Sequence, residues 1–189
     1  IDGFRADYLA RGLTPRLSGL AREGAHAAAL RPSMPTLTFP NHYTLVTGLH
    51  PDHHGVIGNT MMDSRRPGEK FSLSNREAVR DAFWWDDAEP IWVTAEKAGV
   101  RTGTMFWPGS EAAIRGVRPS RWYAYDKRMT YADRVDQVLG WLDLPAPERP
   151  GLVTLYLEAV DTEAHKHGVD SAELNSALRD ADAAVGRLV

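Results

Sequence analysis

Thr38 stands in the stretch Met34-Pro35-Thr36-Leu37-Thr38-Phe39-Pro40-Asn41-His42-Tyr43, between two prolines and ahead of the apolar run at 43–46. Proline fixes φ and biases the residue before it away from helix, so the segment reads as a constrained loop entering a helix at Pro40 or Asn41. A hydroxyl held near a helix N-terminus suits attack on a phosphorus or carbonyl centre, because the helix end favours an anion beside it. A lone threonine does not ionise at neutral pH, so this chemistry needs a base or a metal ion. Asp2 near the start of the chain, and Asp161 with His165 near its end, are the candidates. Asp161-x-x-x-His165 puts a carboxylate and an imidazole on one face if the stretch is helical. Hard and borderline donors of that kind suit Zn²⁺. Each residue also has a plainer reading: Thr38 could cap the following helix, Asp2 could serve a turn, and D-x-x-x-H is a common surface pair. Asn59 lies in a turn, where asparagine usually serves the backbone.

The remaining histidines and acids read as structural. His53 and His54 are adjacent on a loop, and adjacent side chains seldom share an ion. His42 orients or packs the Thr38 loop. His26 and His50 are given no functional role, and His167 and the acidic turn of Asp86, Asp87 and Glu89 are assigned to solvent.

These residues must be positioned by regular elements. Residues 1–3 read as the last step of a strand and its turn, and 5–9 begin a short helix. Thr14-Pro15 reads as an N-cap followed by proline at the first helical position. Leu17, Leu20 and Ala21 give that helix its apolar face, and Gly24 ends it. Residues 25–30 read as a strand. A helix then runs to Thr47, closed by Gly48. Residues 49–58 form a loop. Residues 59–85 are turn-rich without a clean period and read as a segment covering the site. Residues 90–98 are a helix closed by Gly99, 100–106 a strand, and 118–125 irregular and aromatic. Residues 131–144 are an amphipathic helix with Val135, Val138, Leu139 and Leu142 on one face. Residues 152–157 are a buried strand, and 171–189 a helix with the stripe Leu174, Leu178, Ala181, Val185 and Leu188. Alternating strands and helices predict an α/β fold, a mainly parallel sheet with helices on both faces. In such sheets ligands sit beyond the carboxyl ends of strands, where Asp2 and Asp161 fall.

Composition narrows the class. The 189 residues suffice for one α/β domain with a real core. With 43% hydrophobic and 25% charged residues, the chain reads as an ordinary globular protein. A net charge of −3 does not indicate a nucleic-acid-binding surface. Absence of Cys excludes thiolate zinc sites and disulfides, leaving His, Asp and Glu as ligands. No apolar run is long enough to span a bilayer.

Several motifs occur in order over nearly the whole chain: Ile1-Asp2-Gly3-Phe4-Arg5, Thr38-Phe39-Pro40-Asn41-His42-Tyr43-Thr44-Leu45-Val46-Thr47-Gly48, Pro51-Asp52-His53-His54-Gly55-Val56, Trp107-Pro108-Gly109-Ser110-Glu111, and Asp161-Thr162-Glu163-Ala164-His165. The series resembles the nucleotide pyrophosphatase/phosphodiesterase family of the alkaline phosphatase superfamily. The resemblance implies an alkaline-phosphatase-like fold, with residues 1–189 as the N-terminal part of a single domain. It implies zinc-dependent hydrolysis of phosphodiester or pyrophosphate bonds of nucleotides, through a phospho-threonine intermediate on Thr38. It makes Asp2, Thr38, Asp161 and His165 metal ligands. Asn59, with the Thr38 backbone amide, would donate to a phosphate oxygen. Phe39, Leu73, Tyr125 and Tyr156 would form a slot for the nucleotide base, although core packing explains Leu73 and Tyr156 equally well.

The resemblance calls for two Zn²⁺ ions, and for a later Asp-His pair in an Asp-His-Gly motif followed by a still later His; no Asp-His-Gly occurs after Asp161. This implies a chain truncated at Val189, whose second metal site is incomplete and which alone is expected to be inactive. Related readings are a choline-phosphodiester or lysophospholipid hydrolase, a phosphonoacetate hydrolase, and a non-catalytic module keeping the fold. A sulfatase is disfavoured, because Thr38 stands where that class needs Cys or Ser. Bacterial relatives imply a periplasmic or secreted protein.

Overall fold

Proline and glycine set most of the helix ends. The computed structural model describes residues 1–189. In chain order it contains a 3₁₀ turn (Ala6–Arg11), α1 (Pro15–Glu23), α2 (Thr38–Thr47), α3 (Pro51–His54), β1 (Thr60–Met62), β2 (Lys70–Ser72), α4 (Arg76–Arg80), a 3₁₀ turn (Ala82–Trp84), α5 (Ile91–Lys97), β3 (Thr102–Met105), β4 (Arg121–Tyr123), α6 (Tyr131–Leu142), β5 (Leu152–Leu155), α7 (Ala159–His167) and α8 (Ala172–Leu188). The alternation gives the α/β class expected, with a three-stranded parallel sheet of order β4-β3-β5 and a separate two-stranded ladder of β1 and β2.

The chain divides into two compact units. The first comprises Ile1–Arg31, Lys127–Gly140 and Leu155–Val189. Its core gathers Tyr8, Val160, Leu174, Ala177, Leu178 and Ala181. Helix α8 buries Leu174, Leu178 and Ala181 as predicted, and Ser171 caps it by accepting from the Leu174 N–H at 3.1 Å. Helix α1 is capped from elsewhere than expected. The buried Thr14 hydroxyl makes no cap bond and has no partner. Asp182 of α8, 5% exposed, accepts instead from the N–H groups of Arg16 (3.2 Å) and Leu17 (2.8 Å). An ionised carboxylate outcompetes a neutral hydroxyl at a helix N-terminus.

The second unit comprises Pro32–Asp126 and Trp141–Thr154. Its core is aromatic: Tyr43, Phe71, Trp84, Trp85 and Trp92 are buried, and Phe71 meets Trp84 and Trp85 at ring separations of 5.6 Å. β3 pairs in parallel with β4, Thr104 opposite Trp122. The Glu96 carboxylate sets where both strands begin: it accepts from Thr102 N–H and Ser120 N–H, each at 2.7 Å. Gly103 of β3 is required by close packing, since a Cβ there would lie 2.8 Å from the Trp141 ring.

Several expectations are corrected, among them the loop at 49–58, which holds helix α3 (Pro51–His54). Residues 25–30 form no strand and are exposed: four alanines give a strand little apolar area to bury, and no ladder partner is present. Residues 59–85 are not irregular but hold the antiparallel β1–β2 ladder, Met61 opposite Phe71, and helix α4. Residues 118–125 contain β4. In both missed regions the strands are three residues long, too short to show a period. On α6, Val135 and Val138 are buried as predicted, but Leu142 is 38% exposed.

Candidate active site

Thr38, Phe39, Asn59, Leu73 and Tyr125 belong to the second unit, and Asp2, Tyr156, Asp161 and His165 to the first. In the second unit, helix α2 starts two residues earlier than the prolines imply. Leu37 is its N-cap, in extended conformation with ψ 156°, and contributes no side-chain cap bond. Pro40 is tolerated because a first-turn N–H has no intrahelical acceptor in any case. Thr38 is therefore the first helical residue and not a cap.

The helix end leaves few donors. Asn41 N–H already reaches Leu37 O at 3.1 Å, and Pro40 has no N–H. Phe39 N–H donates to Asn59 Oδ1 at 2.9 Å. An N–H can only donate, so the facing atom is the amide oxygen and the Asn59 NH₂ points away from this bond. Thr38 N–H and the Thr38 hydroxyl make no hydrogen bond, and Thr38 is partly buried. One side chain thus caps α2 in place of Leu37 and keeps a free donor beside an uncommitted hydroxyl and amide.

The helix beneath is held firmly. His42 is buried, and its Nδ1 lies 2.7 Å from Thr38 O. The Trp107 indole N–H donates to His42 O at 3.1 Å, which gives the Trp-Pro-Gly-Ser-Glu stretch a role in bracing α2. Tyr43 shares its hydroxyl proton between Trp85 O (2.6 Å) and Ala88 O (3.1 Å), and burial pushes its pKa up. His54 is fully buried. Val56 N–H donates to its Nδ1 at 3.2 Å, so the proton sits on Nε2, facing Thr44 Oγ1 (3.1 Å) and Pro40 O (3.2 Å). Desolvation holds the His54 pKa below its usual value. His53 and His54 lie on helix α3 and not on the loop expected; His53 is exposed and lies 3.7 Å from Asp52.

The residues assigned to a base slot are placed differently from one another. Phe39 is partly buried and tilts against Phe71 (5.9 Å) and Trp85 (5.8 Å). Leu73 is 46% exposed, so core packing does not account for it; its N–H donates to Asn59 O at 2.9 Å. Tyr125 stands edge-on to Phe106 at 5.4 Å. Its backbone is fixed by the buried Glu111, which accepts from Tyr125 N–H at 2.8 Å, while Arg76 donates to Tyr125 O at 2.5 Å. Tyr156 is buried, and its hydroxyl donates to Asp2 Oδ2 at 2.8 Å.

In the first unit a glycine lets the Asp161 backbone approach the residue after Asp2. Gly3 has φ +64°, and a Cβ there would lie 2.7 Å from Asp161 Cα, so only glycine allows this approach. Asp2 N–H donates to Leu157 O at 2.9 Å. Asp161 and His165 lie on α7 as i, i+4 neighbours, Oδ1 to Nε2 3.4 Å, with His165 80% exposed. Two carboxylates and an imidazole are a fitting donor set for zinc, although no three His, Asp or Glu side chains converge into a ready cage. Sequence reasoning missed Arg134, Glu158 and Glu111, which brace these segments; an arginine beside Val135 and Val138 on α6 gives no warning, since arginine is usually exposed.

Residues 1–189 match the family described as type I phosphodiesterase/nucleotide pyrophosphatase. The chain belongs to this family. A Schizosaccharomyces pombe protein described as an uncharacterized pyrophosphatase/phosphodiesterase is 44% identical over the whole of this chain and 39% of its own length. Bovine ectonucleotide pyrophosphatase/phosphodiesterase family member 3 is 45% identical, over the whole chain and 22% of its own length. Among solved structures, murine ectonucleotide pyrophosphatase/phosphodiesterase 5, an inactive threonine-to-alanine variant in complex with AMP, superposes with a TM-score of 0.92 at 34% identity. That match covers all of this chain and 49% of the murine one. The chain thus spans less than half the length of these relatives and shares the alkaline-phosphatase-like fold of this family.

Proposed function

We propose that the protein hydrolyses phosphodiester or pyrophosphate bonds of nucleotides, releasing nucleoside monophosphates, with Thr38 as nucleophile. The observation that carries this reading is the α2 N-terminus: an unbonded Thr38 hydroxyl next to its own free N–H and an Asn59 amide oriented by Phe39 N–H. Thr38 Oγ1 attacks phosphorus, the leaving alcohol or phosphate departs, and water hydrolyses the phospho-threonine ester. Charge grows on the non-bridging phosphoryl oxygens as the attack proceeds. Asn59 Nδ2 and the Thr38 N–H donate to one of them, at the positive end of the helix.

In the first unit Asp2, Asp161 and His165 are the residues that would hold zinc, and in the second Thr38 is the further ligand that the family resemblance names, out of the two ions it calls for. Bound zinc would supply Lewis-acid charge and lower the pKa of the attacking hydroxyl and water. The AMP complex of the murine relative, whose inactive form carries a threonine-to-alanine change, supports a nucleotide substrate and a threonine nucleophile. A slot built from Phe39, Leu73 and Tyr125 would take the base by stacking and apolar contact, which selects a base more than its identity. The names of the relatives, ectonucleotide pyrophosphatases and venom phosphodiesterases, support a secreted or periplasmic protein.

The test compares hydrolysis of a thymidine p-nitrophenyl phosphodiester with that of p-nitrophenyl phosphate, with zinc and with chelator, in the intact protein and its Thr38→Ala variant. Zinc-dependent diester cleavage lost in Thr38→Ala is the expected result. Preference for the monoester removes the base slot. Zinc binding without turnover of either substrate favours choline-phosphodiester or phosphonoacetate substrates, and no zinc binding favours a non-catalytic module.

A further inference from the structure

The Tyr156 ring was expected beside the nucleotide base, yet its hydroxyl is committed elsewhere. It donates to Asp2 Oδ2 at 2.8 Å, in a buried position. A hydrogen bond to an ionised carboxylate is among the stronger kinds, and it fixes one of the two oxygens. The other, Oδ1, makes no hydrogen bond of its own. The neighbouring residue holds the same aspartate by its backbone, since Leu157 O accepts from Asp2 N–H at 2.9 Å.

The segment making both contacts is itself clamped. Arg134 on α6 is 1% exposed. Its Nη1 donates to Tyr156 O at 3.0 Å, its Nη2 to Glu158 Oε1 at 2.9 Å and its Nε to Met129 O at 3.1 Å. Tyr131, also on α6, accepts from Ala159 N–H at 2.5 Å. A guanidinium buried in this way spends its two terminal nitrogens on the turn between β5 and α7, which leads directly to Asp161. The Glu158 partner is 18% exposed, and an ion pair largely withdrawn from water is a poor source of net stability, which makes positional control its more natural contribution.

We infer that Tyr156, anchored by Arg134, is a positioning residue that orients the Asp2 carboxylate for metal binding. The inference rests on the proposed zinc role of Asp2. Outer partners of this kind typically carry a 10–100-fold share of metal affinity, and the hydroxyl, not the ring, is the part that matters.

The experiment measures zinc affinity of the intact protein by competition with a chromogenic chelator, beside KM and kcat for the thymidine diester and melting of the metal-free forms. The variants are Tyr156→Phe, Tyr156→Leu and Asp2→Ala. Tyr156→Phe is expected to bind zinc about 10–100-fold more weakly, to recover kcat when zinc is raised, and to keep the wild-type KM. A purely structural hydroxyl would shift melting without this rescue. Should Tyr156→Phe hold zinc within twofold of wild type while Asp2→Ala loses it, the positioning role is overturned and the ligand assignment stands. Unchanged zinc binding in Asp2→Ala instead overturns the ligand assignment, and the inference with it. A raised KM in Tyr156→Phe at saturating zinc assigns the hydroxyl to substrate, which also overturns it.

Discussion

Asn59→Asp separates two jobs that a single side chain performs. Asn59 Oδ1 accepts from Phe39 N–H at 2.9 Å and so caps α2; its NH₂ is the proposed donor to phosphate. The aspartate variant would keep the acceptor and lose the donor. The carboxylate at a helix N-terminus adds about 0.3–1 kcal/mol of stability at low ionic strength. Asn59→Ala loses both functions, and removal of a cap costs about 1 kcal/mol, a drop in Tm of roughly 2–4 °C for a domain of this size. Loss of one oxyanion donor costs on the order of 10²–10³ in kcat, about 3–4 kcal/mol of barrier. The aspartate falls further than alanine in activity, because its charge opposes the incoming phosphate. Thermal melting of the metal-free proteins, read beside zinc-saturated diester turnover, therefore ranks wild type and Asn59→Asp together in stability and far apart in activity. Turnover by Asn59→Asp within tenfold of wild type would refute the donor role. An Asn59→Ala melt equal to wild type would refute the cap.

Thr38→Ala should abolish diester turnover yet change stability by no more than about 0.5 kcal/mol, because its hydroxyl bonds to nothing; a large loss of Tm would show that the hydroxyl is structural. For His54, desolvation places the folded pKa below the unfolded value of about 6.5. The unfolded chain then takes the proton first, so stability falls as pH drops below about 6.5 and levels off beneath the folded pKa. Melts at pH 7.5 and 5 should show this fall in wild type and a smaller one in His54→Gln; identical falls would remove His54 as its source. Asp182→Ala strips the acceptor from two N–H groups of α1 and should cost about 1–2 kcal/mol in chemical denaturation. Thr14→Val replaces a buried hydroxyl without a partner and should be neutral or stabilising; the reverse order would restore Thr14 as the cap.

The long helices were legible because their signals are redundant. In α8 the cap at Ser171 and the stripe of Leu174, Leu178 and Ala181 agree, and α2 ends at Gly48, whose φ of 70° suits glycine. What stayed hidden was short or supplied from far away in sequence. β1, β2 and β4 are three residues each, less than the span over which alternation can be recognised. The cap of α1 comes from Asp182, 166 residues from the Arg16 N–H it serves. No local pattern at Thr14-Pro15 could reveal that a distant carboxylate would take the place of the threonine.

The same division runs through the candidate site. The family resemblance, more than residue type or spacing alone, marked Thr38, Asn59, Asp2, Asp161 and His165 as the proposed site residues. Their orientation is set by groups with no motif of their own. Phe39 N–H turns the Asn59 amide, Gly3 admits Asp161 to the backbone beside Asp2, and Tyr156 holds one oxygen of Asp2. Each of these controls a direction and not an identity. Orientation decides catalysis, since a donor contributes only where it meets the charge as it develops. A chain could therefore keep every motif residue and still lose activity through Tyr156 or Gly3. Substitutions at such supporting positions test the mechanism more sharply than removal of the nucleophile, because they leave every reacting group present and alter only where it points.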